Sequence, residues 1–379
     1  MKLEGVKVLD MSSFLPGPHL TMMMADHGAD VIMVEVANGT GEPARAIGDR
    51  AADGTTVWFR NIARGKRAVA LNLKETDDHA RFMALAADAD VLVEAFRPGV
   101  TARLGVDYDA VRAVNPGIVY CSISAFGQSG PLRDRPAHDI AIQALAGTVD
   151  LNRGLTDGKP AMPNIPAADM AASLMALSGI LMALYRRTET GRGDYLDMSM
   201  YDAVLSWTAN VTGPVFAHDR APQPEIMRSF GGAAMYSIYE TSDGKFLVLG
   251  GSEPKFARTL LQALDREDLL PLAGREPGPE QDPLKEFFRE TFGACPLADW
   301  IRFLSPLDIC WAPVQSLKDA FAAPHTLARA MRLDDADGNP HIGVPIRFAE
   351  EPARPGFDLP PYRETDAGPM PRFGKRSAS

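Results

Sequence analysis

The sequence predicts an α/β fold built on a doubly wound parallel sheet. Two observations carry this: β-branched runs alternate with helix-like segments through residue 126, and the runs are apolar almost throughout, as strands covered on both faces require. A third observation, hairpin chemistry beginning near residue 235, predicts a smaller second domain.

The strand runs are Val6–Met11, Asp30–Glu35, Ala68–Leu73, Asp90–Ala95 and Ile118–Phe126. Between them, helices are expected at Pro18–His27, Glu75–Ala87 and Tyr108–Val114, the last stopped by Asn115-Pro116-Gly117. From Ala167 an apolar segment runs to Tyr185 and on through Arg186–Gly193, where cations and Gly191 mark a helix C-terminus. Tyr195–Met200 reads as a short strand, Tyr201 to about Thr212 as a helix, and Pro214–Gly232 as a linker. Met235–Gly251 reads as a hairpin turning at Ser242-Asp243-Gly244, with glycine where φ must be positive. Helical periodicity returns at Lys255–Leu264, Pro283–Phe292 and Leu297–Leu304. From Gly343 the proline-rich chain reads as an extended tail wrapped over a neighbour, and no internal repeat is found.

The 379 residues predict two to three domains at roughly 150 per domain, and the 33 glycines and 30 prolines imply many turns or long linkers. Lys and Arg total 39 against 49 Asp and Glu, so the net charge of −10 argues against nucleic acid or an anionic membrane as the principal partner. An anionic ligand must then be met by local positive groups. Cys121, Cys295 and Cys310 are odd in number and lack CxxC spacing, which indicates neither a disulfide framework nor a thiolate zinc site and fits a reducing compartment. The amino terminus lacks the regions of a secretory signal, and the apolar run Met170–Tyr185, broken by Ser173 and Ser178, falls below the roughly 18 residues of a membrane span. A soluble, cytoplasmic protein is expected.

Five signals bear on chemistry. Gly39-Thr40-Gly41-Glu42-Pro43-Ala44 has the form of a dinucleotide fingerprint. It follows the second strand rather than the first, places Glu42 where a pyrophosphate would sit and loses an amide to Pro43, so it reads as a loop. There is no P-loop, no H-x-x-x-H pair and no G-x-S-x-G elbow. The Gly-rich turn Ser124–Pro131 ends the fifth strand and is followed by His138-Asp139, where open α/β sheets bind ligands; a helix-start histidine and a first-turn carboxylate are the structural alternative. Asp169 opens the long apolar segment, so it is either an N-cap or a carboxylate made basic by apolar surroundings. Glu253 follows another strand end and reads first as a capping acid. Arg60, Arg64, Lys66, Arg67 and Lys74 surround a strand, with Arg97 in the turn FRPG; they form a phosphate cluster or a solvated face. Met22, Met23 and Met24 read first as core filling, with the lining of an adaptable apolar pocket as the alternative.

Together these stretches resemble the family III CoA-transferases (CaiB/BaiF), a superfamily that includes α-methylacyl-CoA racemase. The likeness lies in LEGVKVLDMSSFLPGPHL, RGKRAVALNLK, ADVLVEAFRPGVTARLGV, NPGIVYCSISAFGQSGP, AHDIAIQALAG, TGRGDYLDMSMYDAVL and GGAAMYSIYETSDGKFLVLGGSEPKF. The resemblance implies a Rossmann-like large domain, a smaller α+β domain and an interlocked homodimer. The corresponding boundaries are 1–213 for the N-terminal part of the large domain, 225–310 for the small domain, and 311–379 for a return to the large domain.

The resemblance also implies an acyl-CoA substrate with no tightly bound cofactor and no metal, coenzyme A entering as part of the substrate. In the transferases, the aspartate matching Asp169 forms an anhydride and then an enzyme-CoA thioester. In the racemase that aspartate and the histidine of GHD flank the α-carbon, with a glutamate on the histidine. This chain has His138 in AHDI, Asp169 in PAADM and Glu253 in GSEPKF. Racemase-like marks are Leu15–Pro18, where formyl-CoA transferases have a glutamine, and GGAAMYSIYE without four successive glycines. Departures are Ala141 and Ile142 for the Asn and Tyr of GHDINY, the transferase-like VWFRNIARGKR, and Val36 for a phosphate-binding arginine. Expected CoA contacts are Arg60, Arg64, Lys66, Leu71, Asn72, Leu73, Lys74, Arg97, Ala137 and Asp139. The expected enolate donors are backbone amides at the start of the Asp169 helix.

Overall fold

The computed structural model describes residues 1–154, 158–362 and 370–374. Its chain divides into two compact units: residues 1–150, 162–208 and 324–379 in the first, and 151–161 and 209–323 in the second.

The first unit holds a six-stranded parallel sheet in the order β3-β2-β1-β4-β5-β6. Its strands are β1 (Lys7–Met11), β2 (Asp30–Val36), β3 (Arg67–Leu71), β4 (Val91–Glu94), β5 (Val119–Ser124) and β6 (Asp194–Ser199). Alternation sorts the side chains into two cores. Val8, Val31, Val93, Val119 and Ile123 join one cluster with Met24, Ala172 and Ile180, while Leu9, Ile32, Leu92 and Tyr120 join another with Phe82, Leu85 and Val111. Helices cover both faces, as the unbroken apolar strands require. The observed helix Tyr108–Val114 has the expected bounds, and helix Thr76–Asp88 is displaced from expectation by one residue. The first helix begins at Pro16 rather than Pro18, because a proline at the first helical position lacks only an N–H that would be orphaned anyway.

The long helix Ala167–Thr190 ends on Gly191 at φ +66°. It is long and apolar enough to cross a membrane, which the broken run Met170–Tyr185 had not suggested. One of its faces, including Ala168, Ala172, Ala176 and Ile180, belongs to the sheet core. The opposite face leaves Leu174, Met175, Leu181, Met182 and Tyr185 exposed.

The second unit contains an antiparallel sheet of β7 (Tyr236–Glu240), β8 (Phe246–Gly250) and β9 (Trp311–Pro313), packed on helices Pro254–Ala263, Asp282–Gly293 and Leu297–Leu304. The β7–β8 turn has Gly244 at φ +69°, as its sequence predicts. The expected helix Tyr201–Thr212 is shorter, running from Met200 to Ser206, and a separate helix Gly213–His218 follows, since Pro214 suits a new helix start. The second of these helices and two 3-10 turns occupy what read as a linker.

The described tail returns to the first unit. After the small hairpin β10 (Arg332–Asp334) and β11 (Pro340–Ile342), it runs without regular structure along its own chain. Asp358 O accepts from Gly65 N at 3.0 Å, Pro360 O accepts from Arg45, and Phe373 is buried in the second core cluster.

Candidate active site

In a sheet of this order the order of successive strands reverses between β1 and β4, and ligands bind beyond the strand carboxyl ends at that switch. A cavity of about 680 Å³ lies there. Its walls come from the segments after β1 (Ser13–Pro16), after β4 (Ala95–Pro98) and at the end of β5 (Ile123–Ala125), with Trp58, Arg133, Arg135, His138 and Asp169.

The segment after β1 is held from behind. Asp10 is fully buried and accepts from Ser12 N at 3.0 Å, from Thr21 Oγ1 at 2.5 Å and from Lys66 Nζ at 3.1 Å. A Cβ on Gly17 would stand 2.1 Å from Ser12 Oγ, so the turn requires glycine. Phe14 takes φ +66°, an uncommon conformation for a side chain of its size. Its N–H donates at 2.9 Å to Glu42 Oε1, which also accepts from Ala44 N. Glu42 therefore caps a short 3-10 turn, and the GTGEPA segment is a loop, as expected. Burial raises the Glu42 carboxyl above its ordinary range. The Phe14 ring meets His138 edge-on at 5.9 Å between centroids, and the Trp58 ring lies 6.5 Å from that of Phe14, tilted by 39°.

The β4 and β5 segments share one buried acid. Glu94 accepts from Phe96 N at 2.7 Å and from Ser122 Oγ, and Ser122 Oγ in turn accepts from Gln128 Nε2 at 2.9 Å. Burial pushes the Glu94 carboxyl up to about 7.

His138 stands at the N-cap position of helix Asp139–Leu145 without making a side-chain cap. Asp139 points elsewhere: its Oδ1 accepts from Ala168 N at 2.8 Å and Asp169 N at 3.2 Å, and its Oδ2 from Gln143 at 2.6 Å. Asp139 is thus the cap of the long helix. Burial, with Asp139 as a second cause, pushes the Asp169 carboxyl up to about 7.

His138, Asp169, Arg97 and Ala137 therefore line one cavity. Asp139 supports it from behind through the helix start. The expected enolate donors need correction: Ala168 N and Asp169 N are given to Asp139, and Met170 N to Pro166 O. The expected phosphate cluster is also placed differently. Arg60 pairs with Asp53 and Asp335, Arg64 with Asp26 and Lys66 with Asp10, and all three cations are buried. Desolvation lets such cations stay only when paired, so these pairs brace the fold rather than face a ligand. Leu71 is buried in the core, Asn72 and Leu73 are half-buried, and Lys74 is exposed. Asn72 donates its N–H to Asp78. Glu253 is exposed at the start of helix Pro254–Ala263, in the second unit, and makes no side-chain cap there.

Sequence reasoning missed Phe14, Trp58, Arg133 and Arg135. The run RDRP just before AHDI was the available signal for the two arginines.

Known proteins are similar to this chain in sequence and fold. The chain is 32% identical over 366 residues to mouse alpha-methylacyl-CoA racemase, spanning 95% of this chain and 90% of that protein. It is 30% identical over 374 residues to the acetyl-CoA:oxalate CoA-transferase of Acetobacter aceti, spanning 94% and 92%. A crystal structure of a CAIB/BAIF family protein from Brucella suis superposes with a TM-score of 0.79 at 28% identity, covering 95% of this chain and 96% of that one. Residues 3–366 match the model of CoA-transferase family III. With the sheet order, the His138–Asp169 cavity and this match in agreement, the chain belongs to CoA-transferase family III, the enzyme superfamily of CoA-transferases and acyl-CoA racemases.

Proposed function

We propose that this protein epimerises the α-carbon of a 2-methylacyl-CoA by two-base proton transfer through an enolate. The observation that carries the reading is one cavity lined by both His138 and Asp169, with the carboxyl at about 7. At neutral pH Asp169 is present both as carboxylate and as acid. The carboxylate removes the α-proton while the imidazolium of His138 delivers one to the other face; the reverse reaction starts from neutral imidazole and protonated Asp169. The thioester makes this accessible because the enolate charge moves onto its carbonyl oxygen.

Coenzyme A arrives as part of the substrate, and Arg97 and Arg135, which are exposed at the cavity, are its proposed phosphate partners. Glu253 is proposed to contribute a carboxylate to the cycle, to be read from the exchange rate of Glu253→Gln. The exposed apolar face Leu174–Tyr185 of the long helix supports a homodimer, a second copy removing that face from water. Light scattering of the purified chain reads that state.

The deciding experiment is incubation with a 2-methylacyl-CoA in deuterium oxide. Deuterium enters the α-carbon and epimers interconvert; no exchange with any branched acyl-CoA refutes the reading. A second reading, CoA transfer, is favoured by the half-buried nucleophilic carboxylate of Asp169 on the wall of a largely apolar cavity. There Asp169 attacks the thioester, CoA thiolate departs and leaves an aspartyl anhydride, and the thiolate returns to release the acid and form an Asp169-CoA thioester. Hydroxylamine trapping at Asp169 identifies it. Asp169→Ala abolishes both activities, whereas His138→Ala abolishes only epimerisation.

A further inference from the structure

Six buried side-chain polar atoms have no hydrogen-bond partner among the described residues, and of the residues that own them Ser124 alone lines the cavity. Ser124 is 7% exposed and ends β5. Its neighbours in the sheet differ: Ser122 Oγ is bonded to Glu94 and Gln128, and Ser199 Oγ accepts from Asp202 N. A buried hydroxyl without a partner costs free energy and is rare unless something else satisfies it. Meanwhile the first amides of the long helix are given to Asp139 and to backbone carbonyls, so an enolate oxygen needs another donor.

We infer that Ser124 Oγ–H donates a hydrogen bond to the carbonyl oxygen of a bound thioester, and that Ser124 is a catalytic residue. The inference rests on the acyl-CoA reading above. The donor suits the task because it stands on a strand rather than a loop, so its position is fixed before the substrate arrives. The hydroxyl keeps its proton; only the hydrogen bond strengthens as charge collects on oxygen. The same contact serves the tetrahedral oxyanion of CoA transfer.

Ser124→Ala tests this in the full chain. Exchange of the α-proton, as kcat/KM, is expected to fall about 10²–10³-fold, while the thermal midpoint stays or rises, because no internal hydrogen bond is lost. A second measurement uses carbonyl-labelled acyl-CoA bound to the Asp169→Asn protein, which is stalled. Its infrared carbonyl stretch should lie at lower frequency than in Asp169→Asn/Ser124→Ala. An unchanged exchange rate with an unmoved band overturns the role of Ser124. A parent protein that binds no acyl-CoA overturns it through the reading on which it rests; one that binds acyl-CoA and shifts the band, yet exchanges no proton, retains Ser124 and refutes only epimerisation.

Discussion

Asp139 accepts the backbone amide of Asp169 at 3.2 Å, across thirty positions of sequence. The residue after His138 thereby fixes the start of the helix that carries the second proposed base. The two proposed bases are thus linked by one carboxylate that is neither of them.

Removing that carboxylate has two separable effects. Asp139→Ala strips two amides of their acceptor and is expected to cost about 1–2 kcal/mol, read by denaturant unfolding. Asp139→Asn keeps an oxygen acceptor and loses the charge that helps raise Asp169. Its pH–rate profile is expected to shift its acidic limb to lower pH; an unmoved limb would show that burial alone sets the Asp169 carboxyl.

Asp169 also makes a pH-dependent contribution to stability. Its folded-state value of about 7 lies above the ordinary 3.8, so between these values the folded protein binds more protons than the unfolded chain. Its contribution is full below the lower value and is lost as pH rises through the higher one. Asp169→Asn, a neutral isostere, is therefore expected to unfold at a higher temperature than the parent at pH 8, with the gap narrowing as pH falls through 7 and closing only below about pH 4. Scanning calorimetry across that range checks the sign.

The cations divide into two classes with opposite signatures. Arg64→Ala leaves the buried Asp26 carboxylate alone and is expected to cost about 3–5 kcal/mol, seen as a lower unfolding midpoint. Arg97→Ala and Arg135→Ala are expected to leave the midpoint in place and raise the KM for acyl-CoA by about tenfold each, in line with a lost charge-assisted contact. A raised KM from Arg64→Ala at an unchanged midpoint would reverse the assignment.

Phe14 stores backbone strain that two substitutions separate. Alanine removes the ring but keeps the Cβ at φ +66°, whereas glycine removes both. Phe14→Gly is therefore expected to be about 1 kcal/mol more stable than Phe14→Ala. Equal stability of the two would mean that the backbone relaxes once the ring has gone.

Much of the frame was legible because it rests on local pattern. The apolar strands, the stop at Asn115 and Gly191 at the end of the long helix each follow from neighbouring residues. The bounds that slipped, such as Pro16 and the break before Gly213, depend on which residue takes up the first unpaired amides. In the site, His138 and Asp169 were visible as reactive types at a strand end and a helix start. What was not visible was pairing over distance: Arg64 with Asp26, Lys66 with Asp10, and Asp139 with two amides are separated by 38, 56 and about 30 positions. A cluster of cations in sequence says nothing of which carboxylates the fold brings to them.

The described tail has a consequence for synthesis. Phe373 fills the core behind β1 and β2, and Gly374 N bonds Asp30. On the ribosome, the sheet that begins at Lys7 must wait, one core position unfilled, while more than a hundred residues of the second unit are made. The first unit to start is thus the later one to finish, and during that interval its open apolar groove is a place for a chaperone to hold or for aggregation to begin.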